Sequence, residues 1–179
     1  MILYLVPTPE NKLDLKGRET GWHRVPLDRT AKKAFRERLK QLSDKGVQYV
    51  LGSDLDTEAV NVAANELHVP PRTVFELRRF NIGKYHGGPS SDIDPLLGTI
   101  LERWKHNPTM PFKCGDSLIS YQKRLISFVR QKLTEKGTAA LVTDLRTIRA
   151  LGTLKDEFDP KSFIGNGIHR DRIYVLKGE

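Results

Sequence analysis

Five short apolar runs recur along the chain, and amphipathic stretches separate them. The runs are Ile2 to Val6, Val47 to Leu51, Thr73 to Leu77, Ala139 to Thr143 and Ile173 to Leu176. Runs this short, rich in aliphatic and β-branched residues, read as buried strands. Between them, apolar residues return every three to four positions, as one face of a helix requires: Ala31, Phe35, Leu39 and Leu42; Val60, Ala63, Ala64 and Leu67; Leu96, Leu97, Ile100, Leu101 and Trp104; Leu118, Tyr121, Leu125, Phe128, Val129 and Leu133; Ile148, Leu151 and Leu154. Strands that alternate with such helices predict βαβ units. The expected fold is α/β, a three-layer α/β/α sandwich around a mostly parallel sheet.

Local signals set the expected boundaries. Asp28 caps the first helix and Gly46 ends it; Asp54 or Thr57 caps the second, and Pro70 and Pro71 close it. Pro95 suits the first turn of the third helix, Ser117 caps the fourth, and Gly165 to Gly167 form a turn before the last strand. Two long loops remain, Asn11 to Pro26 and Arg78 to Asp94, and loops of that length usually carry function.

The length of 179 residues fits one domain, 1–179, with a sizeable core. No apolar stretch approaches the roughly 20 residues of a membrane helix, and no leader precedes the first strand, so a cytoplasmic protein without membrane attachment is expected. Cys114, the single cysteine, is expected to pack as a small apolar side chain, and the five histidines share no metal-ligand spacing with it. Neither metal nor cofactor is expected. Glu10, Asp54, Glu58, Asp116 and Asp144 are acids near strand ends, but Asp54 and Asp116 stand where helix caps belong. The net charge of +8 would favour acidic partners, yet the cations are interspersed with acids, as in His169-Arg170-Asp171-Arg172. Nucleic acid is therefore a possible partner that the pattern does not favour.

In open α/β sheets ligands sit beyond the carboxyl ends of the strands. That rule singles out Thr8, Ser53, Arg79 and Asp144, with Glu10, Arg78 and Arg146 beside them, as candidate pocket residues. Arg78, Arg146 and Arg149 form a potential basic rim whose default reading is solvent-exposed charge. His23 and His86 lie in the two long loops.

The order of motifs resembles the histidine phosphatase superfamily, the phosphoglycerate mutase-like fold. The residues that carry the likeness are Leu5-Val6-Pro7-Thr8-Pro9-Glu10, Ser53-Asp54-Leu55 with Ala59, Leu77-Arg78-Arg79, Tyr85-His86-Gly87, Gly115-Asp116-Ser117 with Arg124, and Leu141-Val142-Thr143-Asp144. The resemblance implies a nucleophilic histidine, two arginines and a second histidine around the phosphoryl group, and a carboxylic acid for the leaving oxygen. Here the matching positions hold Thr8 for the nucleophile and Pro7 for the arginine before it. Glu58 or Thr57 stands for the second arginine, Asp144 for the second histidine and Arg79 for the acid.

The resemblance therefore implies a member without the family's catalysis, which acts by binding an unknown protein or an acidic small molecule. Its pocket is expected to have become an ion-pair cluster in which Arg79 meets Asp144 or Glu58. The alternatives are a divergent hydrolase of a small phosphorylated substrate that uses Arg78, Arg79, Arg146 or Arg149, and a basic nucleic-acid-associated module.

Overall fold

The computed structural model describes residues 1–104, 106–152 and 167–178. Its elements run β1 (Ile2–Pro7), α1 (Arg29–Leu39), β2 (Tyr49–Ser53), α2 (Thr57–Leu67), β3 (Pro71–Val74), α3 (Ser90–Trp104), α4 (Leu118–Thr134), β4 (Thr138–Thr143), α5 (Leu145–Gly152) and β5 (Tyr174–Lys177). The five strands form one sheet in the order β3-β2-β4-β1-β5. β1, β2, β3 and β4 pair in parallel, while β5 pairs antiparallel with β1 at the edge. The expected α/β architecture with a mostly parallel sheet is present.

Strand alternation builds two core layers. Leu3, Leu5, Tyr49, Leu51, Ala139 and Leu141 face α3, α4 and α5, where they meet Ile93, Leu97, Trp104, Tyr121, Leu125 and Leu151. The intervening residues Val6, Val50, Ala140 and Val142 face α1 and α2, against Phe35, Leu39, Val60 and Ala63. Alternate residues of each strand thus serve opposite, equally covered faces of the sheet, which explains why these strands read as continuous apolar runs.

Several boundaries differ from expectation. β2 lies two residues later than Val47 to Leu51. β3 starts at Pro71 and stops at Val74, after which Phe75–Leu77 make a single 3-10 turn. Proline at the first position of an exposed edge strand leaves no central hydrogen bond unmade. α2 ends not at the prolines but at His68, which adopts the left-handed conformation with φ 54° and donates its N–H to Ala64 and Asn65 carbonyls. α3 begins at Ser90, so Pro95 lies inside the helix rather than in its first turn. Asp28 and Ser117 cap α1 and α4 as expected, and Ser117 forms a reciprocal capping box with Ser120. Leu154 and the turn residues Gly165 and Asn166 lie outside the described residues.

Gly52 marks a close approach between β2 and α2. A Cβ there would stand 2.3 Å from Val60 Cγ2 and 3.0 Å from the Val142 carbonyl oxygen. Val60 is β-branched and fully buried, so it has little room to yield. Gly52→Ala is expected to lower stability by roughly 1–3 kcal/mol, the usual effect of overpacking, as read from urea unfolding.

Candidate functional site

β1 ends in a corner, Pro7-Thr8-Pro9, of which only Thr8 has a backbone N–H to donate. That N–H donates to the Thr143 carbonyl at 2.8 Å, continuing the β1–β4 ladder one residue past the strand. The corner's carbonyls accept from arginines far away in sequence: Arg38 Nη2 donates to Pro7 O at 2.7 Å, and Arg170 Nη1 to Thr8 O at 2.8 Å. Thr8 is buried, and among the described residues its hydroxyl has no hydrogen-bond partner.

Beyond this corner lies a cavity of about 220 Å³ at the carboxyl ends of the parallel strands. Its wall combines Thr8, the loop residues Asp14, Glu19, Thr20 and Gly21, then Arg79, Phe80 and Ile82 after β3, Asp144, Leu145, Arg146 and Arg149 after β4, and Arg170. A narrow cleft of about 20 Å³ adjoins it, sharing Thr8, Thr20 and Arg79 and bounded by His23, Asp56 and Glu58. Of the candidates named from sequence, Thr8, Arg79, Asp144 and Arg146 line the larger cavity; Glu10, Ser53 and Arg78 do not.

The charges pair differently from the expected Arg79 contact with Asp144 or Glu58. Arg79 Nη2 instead meets Asp56 Oδ1, with only 14% and 10% of the two side chains exposed. Asp56 is positioned by Ser53, whose hydroxyl donates to Asp56 Oδ2 at 2.8 Å while accepting from the N–H groups of Leu55 and Asp56. Burial opposes the charge of Arg79, but the carboxylates of Asp56, Asp144 and Asp14 outweigh it and hold its pKa above the ordinary arginine value.

Asp144 caps α5: its Oδ1 accepts from the N–H groups of Arg146 and Thr147, and its Oδ2 from the Thr147 hydroxyl at 2.6 Å. The Thr147 hydroxyl also meets the buried Tyr121 hydroxyl at 2.8 Å. Glu58 pairs with Lys32 and accepts from the Leu27 N–H at 2.9 Å. Arg146, read from sequence as exposed charge, makes a bidentate pair with Glu19, both bonds at 2.9 Å. Burial opposes its charge, and the Glu19 hydrogen bonds and charge more than restore it.

The remaining acids are dispersed. Asp54 does not cap α2; it holds Arg78 through Nε at 2.7 Å and Nη2 at 2.5 Å. Arg78 itself lies against the edge-to-face pair of Trp22 and Phe75, 4.8 Å and 4.7 Å from their centroids. Asp116 is likewise no cap, since it accepts from the Asn81 N–H and from Arg124 Nη2 at 2.7 Å. Glu10 contributes its carbonyl to the Asp28 N–H. Cys114 is exposed with φ 68°, so the expected apolar packing does not occur.

Sequence reasoning missed Asp14, Glu19, Asp56 and Arg170. Asp56 had a readable signal in its Ser-x-x-Asp spacing from Ser53, because a strand-end serine often closes such a turn. Arg170 had none, as 162 residues separate it from its Thr8 acceptor.

The model of the histidine phosphatase superfamily (branch 1) matches residues 3–178. The chain belongs to the histidine phosphatase superfamily. Similar solved structures include Bacillus stearothermophilus YhfR, with 18% identity, a TM-score of 0.81 and coverage of 98% of this chain and 90% of that one. A mycobacterial glucosyl-3-phosphoglycerate phosphatase is 16% identical with a TM-score of 0.80, covering 99% and 90%. The alpha-ribazole phosphatase from Shigella flexneri is 15% identical with a TM-score of 0.77, covering 98% and 89%. These likenesses show a shared fold. The chain matches none of the curated proteins.

Within this superfamily fold, the two histidines of the long loops meet beside the cavity rather than in it. Their ring centroids are 5.6 Å apart. His86 Nδ1 accepts from the Trp22 N–H at 2.9 Å, and the Trp22 indole N–H donates to the Arg79 carbonyl at 2.8 Å. His86 therefore anchors the first long loop over the chain that carries Arg79. Burial, with the charge of His23, lowers the His86 pKa below its ordinary value. A proton on Nδ1 would also remove the acceptor for Trp22.

Two outcomes follow from this geometry. In double-mutant cycles, Arg79→Gln with Asp56→Asn gives a coupling of about 1–3 kcal/mol in unfolding free energy, and Arg79→Gln with Asp144→Asn clearly less. For His86, the lowered pKa means that its stabilising contribution is complete above the unfolded-state value near 6.5 and is lost as pH falls through that value towards the folded one. The melting temperature of the parent should drop more between pH 7.5 and about pH 5 than that of His86→Gln. Equal drops would show that His86 is not the group responsible.

Proposed function

We propose that this superfamily member binds a small acidic ligand in its strand-end cavity without passing a phosphoryl group to a histidine. One observation carries the reading. Thr8, at the position that the family resemblance gives to the nucleophile, has a hydroxyl with no base in hydrogen-bond contact among the described residues. Histidine is missing from the described lining of the larger cavity.

The charged groups support the same view. Arg79 is engaged by Asp56 and Arg146 by Glu19, so neither is a free clamp for a phosphoryl group. Asp144 places a carboxylate in the cavity wall, where it disfavours a dianion. Pro7 supplies neither a cation nor an N–H. Losing a nucleophile together with its electrostatic clamp costs many orders of magnitude in rate. The named relatives include phosphatases, and their activity is not carried over to a chain with these substitutions.

The cavity favours a small molecule over a protein as the ligand, because it is a recess with polar and apolar walls rather than a flat face. The test is a phosphomonoester panel with the purified chain, combined with a search for phosphohistidine after rapid quenching. The expected result is phosphate release no faster than from Arg79→Gln or Asp144→Ala, and no phosphohistidine. Release by the parent that either substitution abolishes would establish the divergent hydrolase instead.

A further inference from the structure

The cavity holds four arginines, Arg79, Arg146, Arg149 and Arg170, and they are not equally satisfied. Arg79 is engaged by Asp56 and Arg146 by both oxygens of Glu19. Arg170 donates to the Thr8 carbonyl and reaches Asp14 only at 3.9 Å. Arg149 has no hydrogen bond and no ion pair among the described residues, and its Nε is buried without an acceptor. Burial and the like charge of Arg146 press against its protonated form, and the Asp144 carboxylate offsets them only in part. A guanidinium with a buried, unpaired donor is costly unless an oxyanion meets it.

The surroundings define that oxyanion further. Asp14, Glu19 and Asp144 line the same cavity, and Asp56 adjoins Arg79, so among the described residues the four arginines face four carboxylates. One added negative charge has Arg149, unpaired among the described residues, to meet it. A second would have only the Nε of Arg79, buried without an acceptor but on a guanidinium already held by Asp56, and would stand among carboxylates. Phe80, Ile82 and Leu145 supply apolar wall, and about 220 Å³ exceeds the space of a few water molecules. There is room for a carbon body as well as a charged head.

We infer that Arg149 anchors a small organic monoanion in this cavity, with a monocarboxylate as its simplest form and the body against Phe80, Ile82 and Leu145. This deepens the proposed binding function and rests on it. It differs from a phosphate dianion site in a measurable way, since charge and not phosphorus chemistry decides affinity.

Calorimetric titration of the whole chain with lactate, dimethyl phosphate and methyl phosphate separates the cases. Lactate and dimethyl phosphate carry one charge across pH 5.5–8, whereas a phosphate monoester gains its second charge near pH 6. The inference expects affinity for lactate and dimethyl phosphate to change little over that range, and affinity for methyl phosphate to weaken as pH rises. Arg149→Gln should weaken lactate binding about tenfold or more, the loss expected for a charge-assisted hydrogen bond. Arg78→Gln, outside the cavity, should leave it unchanged while a thermal melt confirms that both variants fold.

Tighter binding of methyl phosphate at pH 8 than at pH 5.5, no binding of any probe, or equal lactate affinity in Arg149→Gln would overturn the inference. Phosphate release from methyl phosphate would count against the absence of catalysis alone, because the lactate and dimethyl phosphate titrations are unaffected by turnover of that third probe.

Discussion

The β1–β4 pairing, and the way it runs on into the Pro7-Thr8-Pro9 corner, is the constraint on which the site depends. The N–H groups of Ile2 and Thr8 both point towards β4, donating to Gly137 and Thr143 carbonyls. Even-numbered residues of β1 therefore face β4 with their donors, and odd-numbered residues face β5. β5 pairs no further than Leu5 with Tyr174. Pro7 is odd-numbered and lies past the end of that pairing, so its missing N–H leaves no partner unsatisfied. A proline in a central strand is tolerated because of this register, and it fixes where the chain turns towards the cavity.

A corner with one donor and several carbonyls needs donors from elsewhere. Arg38 from α1 and Arg170 from the segment before β5 supply them. Burial and the nearby charge of Arg170 bring the Arg38 pKa down to about 10, a sign that two cations converge on one short piece of backbone. Arg170 thus has a structural task as well as a place in the cavity wall. The same economy recurs at the other strand ends, where Ser53 orients Asp56, Asp56 holds Arg79, and Asp144 starts α5. Buried ion pairs of this kind add little net stability, since desolvation offsets much of their attraction. Their effect is to fix which arginines are engaged and which is left over.

The layered fold was legible because burial imposes periods on sequence. Leu3 and Leu5 alternate with Tyr4 and Val6, and Tyr121, Leu125 and Val129 repeat at a helical spacing, so each element declared its type before any contact was known. Boundaries were less legible where two signals competed. Thr73 to Leu77 has strand composition, but as an edge segment it makes strand contacts only through Val74 and then tightens so that Leu77 enters the core. Asp54 and Asp116 have cap spacing, yet an arginine carboxylate pair competes for the same oxygens and prevails at both.

The strand-end rule points to Thr8, Arg79, Asp144 and Arg146, which line the cavity, and equally to Ser53, which orients Asp56 instead. Partner choice is a different kind of fact. Arg146 finds Glu19 across 127 residues, and nothing in either local sequence encodes that separation. The consequence is asymmetric. Local sequence can show that a family's catalytic groups are replaced, since each replacement sits in its own motif, but it cannot show what the replacements do together. Arg149 illustrates the point: in sequence it is one more cation after β4, and only the pairing of its neighbours leaves it, among the described residues, as the cavity arginine with neither an ion pair nor a hydrogen bond.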